Sequence, residues 1–131
     1  MQTDPLADFL TQIRNANAAS KAECVTPYSR LKSDVAGVLK QEGYIQDFEL
    51  AKEGARQSLK VTLKGRTNGV KAIRGIRRVS KPGLRRYVGS TEIPKVLGGL
   101  GCAVLSTPKG VLSGQEAKKQ NVGGELLLVI W

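Results

Sequence analysis

YIQDFELAKEGARQSLKVTLK, residues 44–64, decides the fold class. Its flanks, 44–51 and 57–64, alternate apolar and polar residues, Leu59, Val61 and Leu63 share one face of the second flank, and the KEGAR stretch between them offers a turn. A period of two marks a half-buried strand, so the two flanks read as an antiparallel pair. Towards the N-terminus the period changes to that of a helix. Ser29 is placed to cap a helix carrying Leu31, Val35, Val38 and Leu39 on one side, and Gly43 to end it. A short strand around 23–28 comes before it. Residues 5 to about 18 read as a first helix, with Asp4 as N-cap, Pro5 at the first helical position, and Leu6, Phe9, Leu10 and Ile13 at the spacing of one apolar face. The order α-β-α-β-β predicts a small α+β layer structure.

Towards the C-terminus, KGRTNG at 64–69 breaks this pattern and places a domain boundary, giving an N-terminal α+β domain over 1–64 and a C-terminal β-rich domain over 65–131. VKAIRGIRRVS (70–80) alternates imperfectly, SKPG (80–83) reads as a turn and LRRYVG (84–89) as a short strand. Thr91, Glu92, Ile93 and Pro94 open a one- to two-turn helix through Val96 and Leu97, closed by Gly98 and Gly99. GCAVLST (101–107) reads as a buried strand, 113–120 as a short helix and ELLLVIW (125–131) as a last strand. The second half is therefore expected to be mainly antiparallel β with brief helices.

The 131-residue chain has a net charge of +10, and that charge is concentrated. Residues 1–53 hold six basic and eight acidic side chains, residues 54–91 eleven basic and none acidic, and residues 92–131 four basic and three acidic. A one-sided cluster raises a field that draws polyanions, whereas a merely solvating face mixes both signs. Nucleic acid is the expected partner, with Arg66, Lys71, Arg74, Arg77, Arg78, Lys81, Arg85 and Arg86 as electrostatic contacts. A membrane surface fits less well, because no amphipathic basic helix accompanies the cluster.

Composition also excludes chemistry. With no histidine, the chain has no His general base, His metal ligand or Ser-His pair. Cys24 and Cys102 lie far apart without CxxC spacing, which predicts reduced thiols in a cytoplasmic protein with no bound metal or other cofactor. The N-terminus carries acids where a signal peptide has its basic region. The longest apolar run, LLLVIW at 126–131, is far below the roughly 20 residues of a membrane span. The glycine groups GRTNGVK and GGLG fail the P-loop pattern.

Three features offer recognition chemistry beyond charge. Thr107-Pro108-Lys109-Gly110 forms a turn after an apolar strand. It is preceded by the Ser106 hydroxyl, carries the Thr107 hydroxyl and the Lys109 cation, and has a glycine that admits close backbone approach. NVGGE (121–125) reads either as a helix C-cap with a turn, or as a source of the Asn121 amide and Glu125 carboxylate for base-edge or 2′-hydroxyl contacts. Tyr87, following Arg85 and Arg86, suits core packing and base stacking equally. Two other classes remain open on residues alone. One is an RNA- or nucleotide-modifying enzyme using Lys109, Glu125, Asp34 or a thiol; the other is a DNA-compacting protein.

DPLADFLTQIRNA (4–16), RVSKPGLRRY (78–87), EIPKVLGGLGCAVLSTPKGVLS (92–113) and NVGGE (121–125), taken in order, resemble the bacterial ribosomal protein S eight family of the small subunit. The resemblance implies a two-domain α+β fold and a structural, non-enzymatic role in the cytoplasmic ribosome. It implies primary binding to the central domain of small-subunit ribosomal RNA in support of assembly, with neighbouring small-subunit proteins as further partners and a monomer when free. Some members repress translation of their own messenger RNA. The resemblance carries RNA recognition onto Ser106, Thr107 and Gly110, onto Tyr87, and onto Gly123, Gly124 and Glu125 with Asn121 alongside. One position departs: Pro108 stands where the family usually has serine, removing a hydroxyl and a backbone N–H.

Overall fold

A computed structural model describes residues 4–65 and 71–131. Contacts divide the chain between Arg74 and Gly75 into a unit of residues 6–74 and a unit of residues 75–131 that also holds Asp4 and Pro5. Arg66, and the part of the 64–69 break that follows Gly65, lie outside the described residues.

In the first unit, helix α1 (Pro5–Ala18) buries Leu6, Phe9, Leu10, Ile13 and Ala16, the face that the apolar spacing predicts. Strand β1 (Glu23–Pro27) leads into helix α2 (Arg30–Gln41), where Ser29 Oγ accepts the Lys32 N–H at 3.2 Å. Gly43, at φ +83, ends α2: its N–H donates to Lys40 O at 3.1 Å and that of Tyr44 to Leu39 O at 2.8 Å, a Schellman closure that requires the left-handed residue. The buried stripe of α2 differs from expectation by one residue. Leu31 is exposed, and Lys32 is buried instead, its Nζ donating to Thr26 Oγ1 at 3.0 Å and Pro27 O at 3.1 Å. The aliphatic stem suits the apolar face, and the oxygens satisfy the ammonium at its end.

Strands β2 (Ile45–Glu53) and β3 (Arg56–Leu63) pair antiparallel through a two-residue loop, with Gly54 at φ +61. The sheet order is β1-β3-β2, with β1 and β2 both antiparallel to β3 and hence parallel to each other. This is a split β-α-β unit. Leu59, Val61 and Leu63 are buried as the alternation requires. β2 keeps both Ile45 and Phe48 opposite that face, beside Leu63 and Val61, only through a bulge between Ile45 and Asp47. Strict alternation would turn one of them outward. The segment before Gly75 stays with this unit, since Asn17 Nδ2 donates to Ile73 O at 2.8 Å and Lys71 Nζ to Ala18 O at 3.1 Å.

The second unit is organised by its last strand. β4 (Ile76–Arg78), β5 (Tyr87–Val88), β6 (Cys102–Thr107), β7 (Gly110–Ser113) and β8 (Gly124–Ile130) form one antiparallel sheet of order β4-β8-β6-β7, with β5 also on β8. Residues Leu126 to Ile130 are all buried, the mark of a strand covered on both faces. Leu126 and Val129 pack with Ile93, Ala103, Leu105 and Ala117, the last from helix α3 (Gly114–Lys119), which Ser113 caps by accepting the Glu116 N–H. Gly75 and Trp131 exchange backbone hydrogen bonds of 3.0 and 2.9 Å at the end of the β4-β8 ladder.

Three expectations for this half change. Among the described residues of the imperfectly alternating 70–80 stretch only Ile76–Arg78 is strand, and of LRRYVG only Tyr87–Val88, because Lys81 and Leu84 close the intervening turn by bonding to each other. The helix expected through Val96 and Leu97 is a single 3-10 turn, Val96–Gly99, without a side-chain cap and with Leu97 (φ 47) and Gly98 (φ 64) in the left-handed region. β7 was unforeseen, since its four residues are too short to show a period.

β8 enters the sheet through Gly123 and Gly124. A Cβ on Gly123 would overlap Val88 O; one on Gly124 would overlap Ser106 O and lie 3.0 Å from Thr107 Cα. Backbone cannot yield as a flexible side chain does. Gly124→Ala is therefore expected to destabilise the protein by about 2–3 kcal/mol in urea unfolding. A loss below about 0.5 kcal/mol would mean that the flanking strands separate at little cost.

Candidate nucleic-acid interface

Strand register brings together residues far apart in sequence. On β8, Glu125 lies opposite Tyr87 of β5 on one side and Ser106 of β6 on the other, and Ser106 lies opposite Val111 of β7. Directly opposed residues share a face of a sheet, so Tyr87, Glu125 and Ser106 stand in one row about 10 Å long. Tyr87 is 72 % exposed, which decides between its two readings: the ring is not in the core. Among the described residues, the Ser106 hydroxyl has no hydrogen-bond partner.

Glu125 is held by its neighbours. Its Oε2 accepts from Ser80 Oγ at 2.5 Å and from Arg85 Nη1 at 2.9 Å, and its side chain is only 17 % exposed. Burial pushes the carboxyl pKa up. The bonds from Ser80 and Arg85, with the charges of Arg85 and Arg78, outweigh that and hold it below the usual carboxylate range. The group is thus an anion that orients a cation at the edge of the row.

The hairpin between β6 and β7 continues the row. Thr107 Oγ1 accepts the Lys109 N–H at 3.1 Å and donates to Gly110 O at 2.7 Å, so this hydroxyl shapes the turn. Pro108 and Lys109 are exposed at its tip, and Gly110 takes φ +109. Both of these bonds run through the Thr107 hydroxyl, and Pro108, which has no N–H, stands between their ends with its φ already restricted. Asn121, at φ 56, terminates α3: its N–H donates to Lys118 O at 3.1 Å and that of Val122 to Ala117 O at 3.0 Å. Its side-chain Oδ1 accepts from Ser90 Oγ at 2.8 Å. The C-cap reading of NVGGE therefore describes what Asn121 does within the fold, and Gly123 and Gly124 serve close strand approach.

The cations separate into two kinds. Arg77, Lys81 and Arg86 are exposed on the second unit with no carboxylate partner among the described residues. Arg85 is half exposed and paired with Glu125. Arg78, only 10 % exposed, donates from Nε to Asp4 at 3.2 Å and from Nη1 to Leu127 O at 2.8 Å, which makes it a strut of the fold. Lys71 and Arg74 belong to the other unit, and Arg74 is exposed. The groups considered for catalysis do not form a pair: Lys109 is at a hairpin tip, Glu125 is bound to Ser80 and Arg85, and Asp34 lies 3.9 Å from Arg30 on α2.

Sequence reasoning missed Ser80. It is fully buried, accepts the Arg86 N–H at 3.1 Å and donates to Glu125, tying the 81–84 turn to the row. The only signal was a serine placed directly before Lys81-Pro82-Gly83, where a hydroxyl can brace a turn.

Comparison with known proteins agrees over the full length. The family model described as "Ribosomal protein S8" matches residues 4–131. The chain is 51 % identical over 129 residues to the small ribosomal subunit protein uS8 of Anaeromyxobacter dehalogenans, covering 98 % of each chain. It is 49 % identical to that of Lactobacillus delbrueckii subsp. bulgaricus, again over 98 % of each, and 48 % identical to that of Solibacter usitatus over the whole of both. With α+β units in the expected order and a full-length match, the chain belongs to the ribosomal protein S8 family and is a structural protein of the ribosome.

Proposed function

We propose that this protein binds the central domain of small-subunit ribosomal RNA directly and early, supporting assembly of the subunit beside neighbouring small-subunit proteins. The observation that carries this reading is the row of exposed Tyr87, anchored Glu125 and unpaired Ser106, set on the same unit as the unpartnered Arg77, Lys81 and Arg86. The cations meet phosphates and the row meets what is irregular. An A-form helix hides its base edges in a deep, narrow groove, so a stacking ring and short hydrogen-bonding side chains suit an opened or bulged helix. The hairpin residues Thr107 to Gly110 would press backbone and hydroxyl against the same element, with Lys109 on its phosphates. Asn121, Gly123 and Gly124 lead into the start of β8 beside the same hairpin, where Gly124 lies against Ser106 and Thr107. Arg66, Lys71 and Arg74 would add phosphate contacts from the segment before Gly75. A messenger RNA that folded into the same irregular element would be held by the same residues, which is how the protein would repress its own translation. Binding without turnover is part of the reading, and RNA incubated with the protein is expected to keep its mass.

The two kinds of cation should behave differently. Arg77→Ala is expected to reduce the log–log salt slope of RNA binding by about 0.7–0.9 while leaving discrimination between RNAs intact. Arg78→Ala should instead lower the urea midpoint, with little effect on the salt slope, because its partners are Asp4 and Leu127 O. Thr107→Ala should weaken binding to a central-domain transcript more than to a random-sequence duplex; equal losses would count against recognition by the hairpin. Pro108→Ser should change affinity for the transcript by less than tenfold, since the turn is held by Thr107; a gain above tenfold would show that proline impairs the contact.

A further inference from the structure

Ser80, Glu125, Arg85 and Arg86 form a directed chain of hydrogen bonds. The Arg86 N–H can only donate, so Ser80 Oγ accepts there, and the hydroxyl proton is left for Glu125 Oε2. That same oxygen receives Arg85 Nη1. The chain links two stretches of backbone, the end of the 81–84 turn and the start of β8, at the place where β5 has only two ladder residues, Tyr87 and Val88. Two ladder residues fix a strand weakly. Besides them, residues 85–87 are held by Leu126 N–H to Arg86 O at 2.9 Å, the Arg85–Glu125 ion pair and the Ser80 contact.

Of the four buried polar residues among those described, Thr26 and Lys32 bond to each other and Ser113 caps α3. Ser80 alone ends its bonds on residues flanking the exposed tyrosine. We infer that Ser80 is a positioning residue for RNA recognition: its buried hydroxyl, bonded at once to the Arg86 amide and the Glu125 carboxylate, sets Arg85 and Tyr87 in the orientation that the RNA meets. Ser80 has no exposed surface and makes no RNA contact of its own. The inference rests on the proposed recognition role of the row.

The test uses the full chain with two probes, a central-domain transcript and a random-sequence duplex RNA, titrated at several salt concentrations. Ser80→Ala is expected to weaken transcript binding about tenfold, to leave duplex binding within about twofold, and to leave the salt slope unchanged. In a Glu125→Gln background the same substitution should cost less than a further twofold, because both changes break one chain. A loss below twofold on the transcript, equal losses on both RNAs, or additive losses in the double variant would each overturn the inference, since a purely stabilising serine would affect both RNAs alike. If the alanine variant does not fold, Ser80→Cys, with a similar volume and only a weak donor, makes the same comparison. Tyr87→Ala separates the two levels of the proposal. If it leaves transcript binding unchanged, the recognition reading itself fails; if it weakens binding while Ser80→Ala does not, only the role of Ser80 fails.

Discussion

Three backbones meet at Gly123 and Gly124, and the second unit depends on that contact. Val88 and Gly89 close on one glycine, Ser106 and Thr107 on the other, at distances that exclude a Cβ. Glycine loses more chain entropy on folding than other residues, so two in succession at the start of the central strand carry a cost. The return is position. Only with the strands this close does Glu125, the next residue, fall into register with Tyr87 and Ser106, whose places in the chain are separated by 19 residues. The apolar residues that follow, Leu126 to Ile130, then supply the burial that holds the arrangement in place.

Charge and geometry have separate tasks on this unit. A net charge of +10 describes attraction to a polyanion, but the fold neutralises part of it internally. Asp4 takes Arg78 and Glu125 takes Arg85, leaving Arg77, Lys81 and Arg86 for partners outside the chain. Solvent and salt screen the free cations, so their pull depends on ionic strength. The Glu125 site is less exposed and changes less with salt, which suits a group whose work is orientation.

The legible parts of the sequence were those with a period or a cap. α1 matched its apolar spacing, α2 its Ser29 start and Gly43 stop, and β3 its alternation, because each signal is local. The misreadings arose where non-local packing decided. Lys32 displaced Leu31 from the buried stripe because Thr26 and Pro27 supply oxygens that no helical period reveals. The bulge in β2 follows from fitting Ile45 and Phe48 against β3. Ile93 and Pro94 lead into a turn with left-handed Leu97, where two glycines and an absent cap outweigh the helical spacing of Val96 and Leu97. At the site, residue types suggested recognition, but the row and its Ser80 brace exist only through strand register, which a single sequence does not state.

The pairing of Gly75 with Trp131 has an optical consequence. Trp131 is the chain's one tryptophan, and it closes the ladder of the unit that begins at Gly75; Tyr28 and Tyr44 belong to the other unit. Indole emission therefore watches the sheet that carries Tyr87, Glu125 and Ser106, while two of the three phenols watch the split β-α-β unit. The single indole belongs to one unit alone, so its emission follows the melting of that unit without any label.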